Sequence, residues 1–336
     1  MLRNLLVICL CLIGLVGLGA CNPDQGTPTA SWHLPNSDDL KDAAVIGGTD
    51  QPALKVGLVI KTLENPFFQS LETGARKAEQ DLGVQLVVRA STTETAVDQQ
   101  KTIVRELVEE ESVDAIVIAP SDSVELVASV KWALAAGVTV VNVDNRLDPG
   151  EVNRQRLPQV PFVSVDNRLG AYLAAQYLAE QAPEGSKAVI LEGIRSARNA
   201  QARLAGARAA FAESDRVTLV ASETANWGFD AAVDVARDLL ARHGDLGVIF
   251  ASNDMMALGV LHHLKTLGRT DILVGGFDAL AEAREAIREG NLRVTVDQQA
   301  ERQGYLGVAR AVEVLRGRTV PAETFIDVAI VTGSSF

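Results

Sequence analysis

Polar and aromatic side chains recur just beyond the ends of short apolar runs in this chain. The run 56–60 is followed by Lys61 and by Asn65-Pro66-Phe67-Phe68, and the run 139–143 by Asp144-Asn145-Arg146. Asn253-Asp254 follows 248–251, Asp278 follows 272–275, Gln298 follows 293–296, and Trp227 lies a loop beyond 217–221. Carboxylates and amides such as Asp144, Asp278, Asn253 and Gln298 accept hydrogen bonds from hydroxyls, and arginine donates in pairs. Phe67, Phe68 and Trp227 offer flat apolar faces of the kind that cover the C–H face of a ring. Together these types suit a neutral, polyhydroxylated ring. Each unpaired polar group in such a site costs roughly 1–3 kcal/mol, which is how a wrong epimer is rejected. Single residues also have simpler roles: Asn65 before Pro66 is a helix N-cap with proline at the first helical position, and Asp254 and Asp278 fit caps too. Their shared placement at run ends is what points to a site.

That placement demands a framework of strands and helices. Residues 56–60, 84–88, 115–118 and 139–143 read as buried strands, separated by helical periods at 66–82, 97–111 and 123–136. A second series starts at 162–165. It continues through strands 188–191, 217–221, 248–251, 272–275 and 293–296, with helices 169–181, 200–212, 231–243, 255–267 and 279–289 between them. Continuously apolar strands alternating with helices predict parallel sheets covered on both faces and joined by right-handed crossovers. The fold class expected is α/β, with two doubly wound, Rossmann-like domains. Ligands of such sheets bind beyond the C-terminal strand ends.

Composition narrows the function. The 336 residues include 31 Lys and Arg against 43 Asp and Glu, a formal charge of −12, which argues against nucleic acid or an anionic membrane surface as partner. No Gly-x-Gly-x-x-Gly opens a helix in the body, and no P-loop or Gly-x-Ser-x-Gly occurs, so neither an enzyme nor a bound cofactor is expected. His262 and His263, adjacent on a helix, diverge by about 100° and do not share a metal. Glu109-Glu110-Glu111 reads as a solvated helix end.

The three cysteines are Cys9, Cys11 and Cys21. Arg3 precedes an apolar stretch over 5–18, too short to span a bilayer and typical of a secretory signal. Leu18-Gly19-Ala20-Cys21 resembles the lipobox of bacterial lipoproteins, which implies cleavage after residue 20, diacylation of Cys21 and stable anchoring outside the cytoplasmic membrane. A solvated tether is expected over 21–53, with Pro23, Pro28, Pro35 and Pro52; Trp32 and His33 fall within it.

Three segments, Lys61-Thr62-Leu63-Glu64-Asn65-Pro66-Phe67-Phe68, Ala251-Ser252-Asn253-Asp254-Met255-Met256-Ala257-Leu258-Gly259 and Gly276-Phe277-Asp278-Ala279-Leu280, resemble type I periplasmic sugar-binding proteins. That family includes ribose and galactose binders and shares its core with lactose-repressor-type regulators. The resemblance implies that Asn65, Phe67, Phe68 and Asp144 face a monosaccharide or polyol from one lobe. From the other it implies Arg203, with Asn199 nearby, Trp227, Asn253, Asp278 and Gln298. Lys61 replaces a small hydroxyl residue of the ribose binder, Asn145 replaces an arginine, and Gln201 another. These departures and Trp227 point to a hexose, ketose or polyol such as inositol.

The resemblance further implies lobes at 54–165 plus 299–322 and 166–298 plus 323–336. The crossings are expected near 165–166, 298 and 320–323, with hinge closure over the ligand. A monomer that delivers its ligand to an ABC transporter permease is expected; a sugar or autoinducer sensor presenting its ligand to a chemoreceptor or kinase is the alternative. A regulator would need a basic helix-turn-helix before residue 54, where a signal and tether stand.

Overall fold

The computed structural model describes residues 53–336. The signal at 1–20, the Cys21 anchor, Trp32, His33 and the tether up to residue 52 lie outside the described residues. The first series comprises β1 (Lys55–Ile60), α1 (Pro66–Leu82), β2 (Gln85–Ala90), α2 (Val97–Glu109), β3 (Ala115–Ile118), α3 (Leu126–Ala135), β4 (Thr139–Val143), α4 (Pro149–Arg154) and β5 (Phe162–Val165). The second comprises α5 (Asn167–Gln181), β6 (Ser186–Glu192), α6 (Arg198–Glu213), β7 (Val217–Thr224), α7 (Phe229–Arg242), β8 (Leu246–Ala251), α8 (Asp254–Thr266), β9 (Leu273–Gly275), α9 (Ala281–Arg288) and β10 (Val294–Asp297). The chain ends in α10 (Ala300–Leu315), β11 (Glu323–Ile326), β12 (Ala329–Thr332) and a 3₁₀ turn at Gly333–Ser335.

Two six-stranded sheets result, ordered β11-β5-β4-β3-β1-β2 and β12-β10-β9-β8-β6-β7. The first is parallel throughout, and the second is parallel except for β12. Both order patterns leave the C-terminal strand ends of β1, β4, β8 and β10 facing the gap between lobes, which is where the polar residues follow.

Helix α1 shows how local sequence sets position. The Asn65 side chain accepts from Phe67 N, Pro66 takes the first helical position, and Gly83 ends the helix in the left-handed conformation at φ 66°. The stripe Phe67, Phe68, Leu71, Ala75 and Ala78 is buried. On its other flank α1 meets α10 at glycines: a Cβ on Gly74 would stand 1.7 Å from Glu301 O, and one on Gly304 1.9 Å from Leu71 O. Backbone therefore touches backbone, and α10 is fixed to the first lobe.

The ends of the chain depart from the expectation. Strand β11 pairs with β5 in register Glu323↔Phe162 to Ile326↔Val165, so residues 323–326 belong to the first lobe and not the second. The third crossing is accordingly at Asp327 and Val328, beyond the 320–323 expected. Phe325 meets the Phe162 ring edge-on at 6.2 Å, an aromatic contact that helps hold β11 at this edge. The strand then continues in the same direction into the second lobe. It enters that sheet from the C-terminal side, so β12 runs antiparallel to β10 (Val294↔Thr332). A two-residue link is too short to reverse it for parallel pairing. The first crossing passes Asp166, which caps α5 by accepting from Leu169 N at 2.9 Å. The second passes Gln298 and Gln299, and the Gln299 side chain donates to Asp327 O at 2.6 Å, tying the second and third crossings together.

Candidate ligand-binding site

Between the lobes the described residues line a narrow cleft with about 20 Å³ of free space. Eleven of the twelve residues expected at the site line it: Lys61, Asn65, Phe67, Phe68 and Asp144 from the first lobe, Asn199, Arg203, Trp227, Asn253 and Asp278 from the second, and Gln298 at the second crossing. Glu94 completes the lining and was not singled out from sequence.

On the first-lobe wall, Lys61 is 1% exposed although it is a lysine. Its ammonium lies 3.2 Å from Asp144 Oδ2 and 3.8 Å from Glu94 Oε2. It also sits 5.5 Å from the Phe68 ring centroid and 5.9 Å from that of Trp227, so charge and aromatic faces share its solvation. Glu94 Oε1 accepts from Asn65 Nδ2 at 2.8 Å, which fixes the Asn65 amide with its oxygen on Phe67 N and its nitrogen toward the carboxylate. Burial pushes the Glu94 carboxyl above the ordinary range, against the pull of the Lys61 ammonium and the Asn65 bond. The signal for Glu94 was the same strand-end rule: β2 extends to Ala90, further than its apolar run, and the following turn carries the acid into the cleft.

On the second-lobe wall Arg203 is the hub. Its Nε donates to Asn167 Oδ1 at 2.8 Å and its Nη1 to Ser252 O at 2.8 Å, with Asp278 Oδ1 at 3.4 Å. The guanidinium stacks 3.7 Å from the Phe277 centroid and 5.4 Å from that of Trp227. Gln298 Nε2 donates to the same Asp278 oxygen at 2.6 Å, and Gln303 Nε2 in turn donates to Gln298 O at 2.8 Å. Burial raises the Asp278 carboxyl well above its ordinary value, with Arg203 opposing it. Asn253 caps α8 through Met256 N at 2.9 Å while its Nδ2 donates to Trp227 O at 3.2 Å, so one side chain holds both the helix start and the indole-bearing loop.

Three lining residues adopt left-handed backbone: Asp144 at φ 58°, Trp227 at 69° and Asp278 at 126°. Such conformations cost about 1–3 kcal/mol each in non-glycine residues and persist where surroundings over-determine them. Trp227 is held further by Gly193, where a Cβ would stand 2.2 Å from the indole ring. The Trp227 Nε1 is buried without a hydrogen-bond partner, and Asp144 Oδ2 meets the Lys61 ammonium as an ion pair without a directed hydrogen bond. The indole N–H is thus a buried donor without a protein partner.

Asn145 does not line the cavity. It is wholly buried, its Nδ2 donates to Pro120 O at 2.9 Å, and its Oδ1 accepts from Ser123 Oγ at 3.2 Å and from Asn199 N at 3.3 Å. Its polar capacity is spent on protein. Among the described residues, no group of three or more His, Cys, Asp or Glu is placed to hold a metal ion. No helix among them is long and apolar enough to cross a membrane.

Residues 56–319 match the model of the periplasmic binding protein domain family. The D-ribose/D-allose-binding protein of Pseudomonas aeruginosa is 37% identical over 268 residues, 79% of this chain and 83% of that protein. The ribose import binding protein of Escherichia coli is 34% identical over 281 residues, 82% of this chain and 90% of that protein. Among solved structures, an ABC transporter periplasmic solute-binding protein from Actinobacillus succinogenes with bound D-allose superposes with a TM-score of 0.80 at 30% identity, covering 84% of this chain and 98% of that one. Two lobes of six-stranded, mostly parallel sheet, the cleft between them and this extent of likeness agree: the chain belongs to the periplasmic binding protein family.

Proposed function

We propose that this protein is the sugar-binding component of an ABC importer and that the interlobe cavity holds one monosaccharide by hinge closure. The observation that carries the reading is the lining itself. Phe67 and Phe68 on one lobe and Trp227 on the other flank the cleft, and carboxylates and amides from both lobes line it, with Trp227 Nε1 unpaired. Hydroxyls can satisfy donors and acceptors at once, and ring C–H faces suit the aromatics. At about 20 Å³ the space between the walls is closed down to about one water, so a sugar ring enters only as the lobes part.

Within that class, a six-carbon sugar such as D-allose fits best. Lys61 and Glu94 add polar reach on the first wall, Trp227 adds ring area on the second, and relatives of this chain are named for D-allose as well as D-ribose. The relatives' import role supports an extracytoplasmic location and a permease partner that reads the closed form. Diacylation of Cys21 would tether the body to the membrane through the segment beyond it. Calorimetric titration of the purified body with D-allose, D-ribose, D-galactose, D-tagatose and myo-inositol tests the assignment. Saturable one-to-one binding of D-allose is expected, and a flat titration with every sugar overturns it.

A further inference from the structure

Helix α6 carries Asn199 and Arg203 to the cavity, yet it has no cap of its own. Its N-cap residue is Ala197, at φ −84° and ψ 129°, with no side-chain hydrogen bond to the first turn. Helices α1 and α8, which also begin at the cavity, are capped by their own Asn65 and Asn253. The first N–H groups of any helix lack intrahelical partners. In α6 they find them across the cleft. Arg198 N donates to Ser123 Oγ at 3.0 Å and Asn199 N to Asn145 Oδ1 at 3.3 Å, while Ala200 N is satisfied by Asn199 Oδ1 at 2.9 Å.

Ser123 follows β3 and Asn145 follows β4, both in the first lobe, and both are wholly buried. They are bonded to each other at 3.2 Å, and Asn145 is anchored on Pro120 O at 2.9 Å, so the pair forms a rigid acceptor surface. Asn199 Nδ2 to Asp144 Oδ1 at 3.2 Å and the Arg198–Asp148 ion pair at 3.5 Å extend the same seam.

We infer that Ser123 and Asn145 are positioning residues that cap α6 in trans, so that lobe closure itself orders the helix turn presenting Asn199 and Arg203. The first lobe thus completes the second lobe's half of the site. Opening hands the Arg198 and Asn199 amides to water, and the turn loses its fixed partners. This inference rests on the reading of the protein as a cleft-closing binder, and sugar departure is its kinetic readout.

The test compares the wild-type body with Ser123→Ala and with the Ser123→Ala/Asn145→Ala pair, using D-allose as probe. Amide hydrogen exchange is followed residue by residue by NMR, with and without the sugar, and stopped-flow gives the rates. Ser123→Ala removes only a hydroxyl and keeps the variant set usable if the double variant is unstable. Exchange at Arg198 and Asn199 is expected to rise in the variants, while Ala207 and Ala210 deeper in α6 keep their protection. D-allose should leave Ser123→Ala about fivefold faster, the effect of a lost cap, with its association rate little changed. Unaltered exchange at both amides, or slower association with unaltered dissociation, overturns the capping. Failure of the wild type to bind any sugar counts against the sugar assignment alone: the exchange comparison is then made with the lobes held closed by a bis-maleimide cross-link between Asp148→Cys and Arg198→Cys, which pair across the seam, and equal exchange at Asn199 with and without the Ser123 hydroxyl and the Asn145 amide overturns the capping.

Discussion

Asp254 offers the sharpest quantitative check on how the second-lobe wall is held. It opens α8 behind the cavity and is wholly buried. Its Oδ2 accepts from Leu280 N at 2.9 Å and its Oδ1 from Thr295 Oγ1 at 2.7 Å; that hydroxyl oxygen accepts from Ala279 N at 3.1 Å. One carboxylate therefore pins the left-handed turn at Asp278 and Ala279. Burial pushes Asp254 from 3.8 up to about 6, with the Thr295 and Leu280 bonds and the Arg203 charge pulling the other way. Between those values the folded protein holds more protons than the unfolded chain, so stability falls as pH rises. The contribution is fully present below about pH 4 and is lost as pH rises through about 6. At 1.36 kcal/mol per unit, the difference between 3.8 and about 6 amounts to about 3 kcal/mol. Asp254→Asn keeps the shape, mimics the neutral acid and removes the titration. Urea unfolding of both proteins from pH 4 to pH 8 is the assay. The wild type should lose about 2 kcal/mol relative to the variant across that span, the rest of the change lying below pH 4. A gap that is constant with pH, or that widens in the wild type's favour toward pH 8, would refute the argument.

Other outcomes follow from the same geometry. Asp278→Ala should fold yet lose at least about a hundredfold in D-allose affinity by calorimetry, because it removes an acceptor and leaves Arg203 buried with less compensation; unchanged affinity would remove Asp278 from the site. Gly193→Ala should displace the Trp227 ring, since the new Cβ would lie 2.2 Å from it, and should weaken sugar binding together with the fluorescence change on titration; a wild-type titration curve would show that the ring has room. Cys21→Ala should release the protein from the membrane fraction into the soluble envelope fraction, and acylated variant protein would contradict the anchor.

Much of the site was readable because doubly wound sheets put ligand contacts at a single kind of place. Asp144, Asn253, Asp278 and Gln298 each stand one to three residues past a strand, and that alone brought them together. Arg203 and Asn199 lie on a helix beyond a loop from β6, where position in sequence carries no such mark, and only likeness to known binders found them. Glu94 was missed because β2 outruns its apolar stretch: Arg89 and Ala90 keep extended backbone through ladder pairing with β1 and not through burial pattern. Asn145 sits at a strand end but turns its amide away from the cavity, since the uncapped α6 supplies a donor from the opposite lobe. The left-handed backbone at Asp144, Trp227 and Asp278 has no glycine to announce it. The late crossing at Asp327 and Val328 depended on edge pairing with β5, a choice between two sheets that β11 itself does not encode.

The route of the last forty or so residues has a consequence for how the molecule is made. Helix α10 covers the first sheet, β11 supplies its edge, and β12 then supplies an edge of the second. The first sheet cannot be finished until Ile326 is available and the second until Thr332, so the first lobe, though begun at the start of the body, is among the last parts to be sealed. A polypeptide emerging from a ribosome or threading through a translocation channel would keep its body incomplete until nearly its whole length has passed. On the export route proposed for this protein, that delay would keep the chain open enough to thread and let both halves snap shut together on the far side.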